Sequence, residues 1–377
     1  MSELINTRGA YNAFHKHLLA GASALALTLY ISSTSLAAED ADRPTVWIEL
    51  GGQMEMVQGT TNPFVAPFMA LSPVPSVYND VPFIDSQKPA HFSFGAEGKL
   101  SFQPEGSDWI FSAGLRYGRS NTKRHVHHQS KAPPITFSFS YYGNTYQYTK
   151  YPSSQMLADA QADYSEQHVV VDFSAGRDVG IGMFGRNGTS VISGGVRFAS
   201  FVAHSTAHMT ARPEIGTVYQ SFYGIRFPRF TYHQYTMVAA AQRSFNGVGP
   251  SLSWQASAVL LGNADTSELS FDWGVNAALL FGKQKAKTSH VTEARNHLNY
   301  ASFPVTGYDP HHDTRSRSVV ISNLGGFAGL SVKYPNAKVA IGYRADFFFG
   351  AMDTGIDTRS TKDVGFHGPF ATVSIGL

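Results

Sequence analysis

HFSFGAEGKLSFQ, residues 91–103, alternates apolar and polar side chains one for one. Phe92, Phe94, Ala96, Leu100 and Phe102 share one face; His91, Ser93, Glu97, Lys99 and Ser101 share the other. Successive side chains of a strand point to opposite faces, so this stretch is a β-ribbon with one apolar and one polar wall. Nine more stretches read the same way: 46–57, 109–120, 167–178, 190–202, 236–261, 268–282, 319–334, 338–350 and the last residues to Leu377. The gaps between them run long, short, long, short. A soluble sheet can alternate, but this loop asymmetry is the pattern of a bacterial outer-membrane barrel, with short periplasmic turns and long external loops.

The expected fold is therefore all-β: a membrane-spanning, up-and-down antiparallel β-barrel of about ten strands with long extracellular loops. Eight to twelve strands are compatible with the pattern. The open point is 236–261, too long for one span and carrying Pro250. A proline removes a ladder hydrogen bond, so a bulge or break is expected across Gly247-Val248-Gly249-Pro250, and a split there leads to twelve strands. Long loops are expected at about 121–164, 203–232 and 283–317, with 135–148 forming a small hairpin in the first.

Bulk composition agrees with a barrel. Charged residues make up 15% of the chain and hydrophobic residues 43%, lean in charge for a soluble surface. Yet past the N-terminus no run is long and apolar enough for a membrane helix. At the N-terminus, Arg8 and Lys16 precede an apolar stretch, 18–31, and Ser35-Leu36-Ala37 fits small-x-small cleavage. Residues 1–37 are thus expected to be a signal peptide, 38–44 a short periplasmic stub and 45–377 the barrel. Cleavage would take two basic residues and one acid, leaving a net charge of about +1, which argues against nucleic-acid binding. With no cysteine in the chain, disulfides, thiolate metal sites and a lipoprotein anchor are excluded.

Several segments resemble the pore-forming major outer membrane protein family of the Legionella type. They are 178–185 leading into VISGGVRFASF (191–201), FNGVGP (245–250), LSFDWGVNAALLFGK (269–283), VAIGYRADFFFGAMDTG (339–355) and VGFHGPFATVSIGL (364–377). The resemblance covers most of the chain after about residue 45, and its specificity lies in the order and spacing of the segments. It implies a pore-forming outer-membrane barrel with no catalytic residues. One departure is the final Leu377, where such barrels usually end in Phe; it stays in phase with Val373 and Ile375.

Nine residues are expected to face the lumen: Glu49, Glu97, Asp172, Asp272 and Asp346, against Lys99, Arg116, Arg197 and Arg344. Such a lining sets selectivity if it borders a pore, or forms a filling salt-bridge network if it does not. A barrel of about ten strands is narrow, and wide channels need about sixteen, so only ions or small solutes would pass. The expected function is a porin-like passive channel; the alternative is a structural or adhesive barrel with a closed lumen.

Histidines gather in the expected loops: His125, His127 and His128; His204 and His208; His311 and His312 beside Asp313. The last group is a weak metal candidate, and no cofactor is expected. Asp309, His311 and Asp313 would also suit a hydrolase, but no nucleophile stands near them in sequence, and no enzyme activity is expected. The glycine-rich 180–185 matches a dinucleotide fingerprint by letter only, because a strand follows it rather than a helix. Expected partners are outer-membrane lipid, lipopolysaccharide (Lys123, Arg124 and Lys131 forming a basic loop patch), the barrel-assembly machinery and small solutes. Aromatics near strand ends, such as Trp109, Tyr117, Trp273, Tyr343 and Phe349, suit interfacial girdles.

Overall fold

The computed structural model describes residues 45–60, 91–105, 107–131, 134–151, 156–179, 188–212, 216–222, 225–263, 266–298, 301–306 and 310–377. The chain divides into two units, Met1–Arg43 and Pro44–Leu377. The first, with the expected signal peptide, lies outside the described residues.

The described strands are β1 (Val46–Gln58), β2 (Phe92–Phe102), β3 (Trp109–Ser130), β4 (Ile135–Tyr141), β5 (Asn144–Lys150), β6 (Met156–Asp178) and β7 (Gly188–Arg212). They continue with β8 (Gly216–Phe222), β9 (Ile225–Asn263), β10 (Ser267–Leu298), β11 (Ala301–Thr306), β12 (His311–Tyr334), β13 (Ala337–Asp353) and β14 (Thr361–Gly376). Ten of them close a ring of antiparallel neighbours: β1-β2-β3-β6-β7-β9-β10-β12-β13-β14 and back to β1. The seam is regular. Ile48 of β1 stands opposite Leu100 of β2 on one side and Ile375 of β14 on the other. Leu377 N–H donates to the Val46 carbonyl at 2.8 Å, so the last residue completes the closure. β4 and β5 form the expected small hairpin, while β8 and β11 extend β9 and β10 as edge hairpins.

The outer face at the short-turn end carries an apolar belt. Leu50, Phe94, Phe111, Phe173, Val196, Leu252, Leu279, Leu324, Ile341 and Val373 all point outward and are exposed. On β1 the belt runs from Ile48 to Met56, nine residues, the length a tilted strand needs to cross a hydrocarbon core. The fold is a ten-strand membrane-spanning barrel.

Much of what the sequence suggests to be loop is strand. β3, β6, β7, β9, β10 and β12 rise well past the belt as one tall wall, and β1, β2 and β14 do not. In this wall the alternation continues with its polarity exchanged. On β6, Asp159, Gln161 and Asp163 point outward, and Ala158, Ala160, Ala162 and Tyr164 are buried inside. On β7, His204, Thr206 and His208 point outward, and Ala203, Ala207, Met209 and Ala211 inward. A strand segment in water must show polar groups outside, so the change of sign marks where the membrane ends. Above Phe281, the outward residues of β10 become Lys283, Lys285 and Lys287.

The break expected at Pro250 is absent. β9 is one continuous strand, and its register with β10 is the same on both sides, Ser251 opposite Ala278 and Val248 opposite Phe281. Around the proline, the pairing of Gly249 and Pro250 with Leu280 and Leu279 is missing, whereas the β7 side pairs through both; the register between β9 and β10 shifts at Leu260 instead. Proline has no N–H to give, and Gly249 lets the Leu279 carbonyl approach to 1.9 Å from where a Cβ would sit. The glycine absorbs the irregularity without an extra residue, and ten strands result.

Candidate functional site

The lumen is built in tiers. Within the belt, all nine expected lining residues lie on the inner face, and most pair with one another or with neighbouring inward groups. Arg197 (β7) holds Asp172 (β6) through two donors, Nε to Oδ1 at 2.6 Å and Nη2 to Oδ2 at 3.1 Å. Its Nη1 reaches Asn276 on β10 at 2.6 Å and also Asn323 on β12. Asn276 donates to Asp346 on β13 at 3.4 Å, and Asp346 pairs with Arg116 on β3. Asp172, Arg197, Asn276, Asp346 and Arg116 thus form a chord across the lumen, joining strands far apart in the ring.

Gly325 leaves space for this chord, since a Cβ there would fall 1.9 Å from Asp346 Oδ1. A second bridge joins Arg344 (β13) to Glu97 (β2), and the guanidinium lies 4.7 Å from the Phe370 ring. Lys338 binds Asp272 at 2.6 Å, Glu49 accepts from Ser374 at 3.1 Å, and Lys99 stands opposite Glu49 in the ladder. His168 Nε2 lies 3.2 Å from Glu55, both deeply buried. Beside them is a cavity of about 20 Å³, room for roughly one water.

Sequence reading includes nine charged residues of this tier but misses Asn276, Asn323, Lys338 and His168. They carry the inward phase of their strands, which is the one signal that could have found them. Their partners are separated by tens to hundreds of residues.

Above this polar tier the lumen turns apolar. Phe201, Phe245, Phe348 and Phe366 pack together with Val170, Leu280, Ile321, Met352 and Val364. Phe348 meets Phe201 edge-on at 4.6 Å, and Phe366 lies 5.4 Å from Phe201.

A chain segment then folds inside the barrel. β13 carries two extra residues relative to β14 between Phe348 and Met352, and Gly350 adopts φ 67°, the left-handed region that favours glycine. From there Ala351, Met352, Asp353, Thr354 and Gly355 are all buried in succession. Alternation stops because both faces of this segment meet protein.

The tall wall holds the segment by side-chain hydrogen bonds. Arg243 donates to the Thr354 carbonyl at 3.0 Å, Gln284 to Gly350 and Thr288 to Ile356 at 2.9 Å. Arg315 pairs with Asp353 at 3.1 Å and also donates to the Gly355 and Ile356 carbonyls. Asp353 Oδ1 in turn accepts from the Gly355 and Ser360 amides, closing the turn.

The histidines separate by face. His312 points outward, and Asp313 pairs with Arg315, so the expected trio with His311 does not come together. His311 instead stands opposite His290, and both address Asp357. Asp309 lies outside the described residues, as do 180–187. On the outer wall His125 and His127 share Asp159 Oδ2, at 3.0 and 2.8 Å. His204, His208 and His128 are exposed outward-phase or surface positions, and of the basic trio Lys123 and Lys131 are exposed while Arg124 has the inward phase.

The hydrogen bond that His127 donates to Asp159 raises the His127 pKa; partial burial opposes the shift of Asp159, but the two imidazoles hold it below its usual value. A raised histidine pKa favours the folded form most fully below the unfolded value, and that contribution fades as pH rises through the folded one. Amide exchange in 121–130 and 156–165 should therefore speed up as pH rises above the ordinary histidine value of about 6.5, beyond its intrinsic pH dependence, and Asp159→Asn should abolish the excess. An unchanged excess in Asp159→Asn would remove this assignment.

No family model and no curated relative matches the chain. Among solved structures it is similar to the toluene transporter TodX of P. putida, at 9% identity and TM-score 0.25, covering 90% of this chain and 91% of that chain. It is also similar to the TodX deltaS2S3 mutant monoaromatic hydrocarbon channel, at 10% identity and TM-score 0.20, covering 92% and 96%.

Proposed function

We propose that this protein is a porin-like barrel of the bacterial outer membrane, a narrow passive channel for ions or small solutes that is closed in the conformation described. The observation that carries the reading is the way the lumen is blocked. Its belt tier is polar and charged, and the block above it includes one chain segment, 351–357, held by non-covalent side-chain bonds. A block of that kind can leave without unfolding the wall. The resemblance to pore-forming major outer membrane proteins of the Legionella type supports the same reading.

The short turns face the periplasm with both chain ends, and the tall wall faces outward. Lys283, Lys285 and Lys287 then lie just above the belt, at the level of lipopolysaccharide phosphates. Insertion would follow from the export signal and the assembly machinery that reads the last strand. We assign the barrel no catalytic chemistry. Both charge signs line the lumen, so selectivity should be weak.

A closed structural or adhesive barrel is the second reading, favoured by the chord from Asp172 to Arg116 that fills the polar tier. Planar-bilayer recording separates the two. The wild type should show rare, small openings, and Arg315→Ala, which removes the bonds to Asp353, Gly355 and Ile356, should lengthen them. Inserted barrels that conduct in neither form would overturn the channel and leave the structural barrel.

A further inference from the structure

We propose that His290, His311 and Asp357 form a site for a divalent transition-metal ion of the Zn²⁺ class, which latches the lumen segment to the tall wall. The site sits where three pieces of chain meet. His290 on β10 and His311 on β12 are direct cross-strand partners, with ring centroids 5.2 Å apart. Cross-strand pairs on one face hold their side chains side by side, so a sheet presents two imidazoles at fixed spacing without loop ordering. Asp357 comes from the end of the inserted segment. Its Oδ1 lies 2.7 Å from His290 Nε2 and 3.6 Å from His311 Nε2. The three ligand atoms all lie within 4.8 Å of one another.

Zinc takes imidazole and carboxylate at roughly 2.0–2.2 Å, so tetrahedral ligand atoms stand about 3.4 Å apart. The observed spacings bracket that value, and small side-chain rotations suffice to seat an ion. Two neutral imidazoles and one carboxylate are the donor set that suits Zn²⁺, Cu²⁺ or Ni²⁺ rather than Ca²⁺ or Mg²⁺. His311 and Asp357 are about half exposed, which leaves an entry path and a fourth position for water. Two of the three ligands belong to the wall and one to the segment. An ion bound here ties them together beyond the hydrogen bonds from Arg315 and Thr288, so metal favours the blocked lumen.

The latch rests on the channel reading; the site itself does not. The test uses the full mature barrel in detergent, carrying His127→Ala to remove the other histidine–carboxylate cluster among the described residues, on the outer wall. The chain has no cysteine, so Thr358→Cys takes a single spin label beside the site. With Zn²⁺ as the probe, one equivalent should bind and the label should slow. Asp357→Asn and His290→Ala should each weaken Zn²⁺ binding about tenfold or more and leave the label indifferent to metal. No retained Zn²⁺, or equal uptake by Asp357→Asn, overturns the site. Uptake is read without conductance, so a barrel that binds Zn²⁺ as described but never conducts removes the channel and not the metal site.

Discussion

Replacing Asp346 with alanine should destabilise the barrel by about 3–5 kcal/mol, the usual cost of leaving a buried charge without its partner. Asp346 accepts from Arg116 and from Asn276 and is almost fully buried. Its removal strands a guanidinium in the middle of the lumen and cuts the chord that ties β3 to β7 across it. Asp346→Ala with Arg116→Met should recover much of the loss, because removing both charges also removes their desolvation penalty. Urea unfolding of the barrel in lipid vesicles, followed by the gel mobility difference between folded and unfolded forms, measures both. A loss below about 1 kcal/mol for Asp346→Ala would mean that the chord contributes little to holding the wall.

The chord also marks where sequence reading stops. Period-two alternation gives the inner face of each strand, and with it Arg116, Arg197 and Asp346 as lumen residues. It says nothing about which residue meets which across a barrel, because that depends on register and shear accumulated around ten strands. Asn276 and Asn323 are unremarkable in sequence and become central only through that geometry. The tall wall was legible and is easily passed over. LADAQADY (157–164) alternates as cleanly as 91–103, but with alanine on the inner face and acids outside. A search for apolar outward walls reads it as loop, because the solvent in contact with the strand has changed and the preferred sign with it. Pro250 shows the opposite failure. A local rule against proline was outweighed by a ladder that continues on both sides, with Gly249 taking up the distortion. The inserted segment had one sequence cue, Gly350 after a run of three phenylalanines; its inward direction follows from a left-handed residue and two extra positions in β13. Asp357 therefore could not be placed with His311 from sequence.

Phe348→Ala should both weaken the barrel and raise its conductance, a combination that a purely structural core residue does not produce. Phe348 is fully enclosed, edge-on to Phe201 at 4.6 Å and near Phe366 at 6.1 Å, at the point where the polar tier gives way to the apolar one. Truncating a buried phenylalanine costs about 3–5 kcal/mol through lost transfer energy and the cavity left behind. In most cores that cavity stays closed. Here it joins the small cavity that Phe348 borders with Glu55, Glu97, Arg116 and Asp346, charged groups that attract water, and an apolar constriction excludes ions only while it is narrow enough to stay dry. Phe348→Leu keeps an apolar side chain of useful volume, so it should lose less stability and conduct like the wild type. The two variants separate loss of packing from loss of the constriction. Single-channel recording beside urea unfolding provides both quantities. If Phe348→Ala loses the expected stability without added conductance, the ionic chord rather than the aromatic tier closes the lumen, and Arg197→Ala becomes the substitution expected to open it.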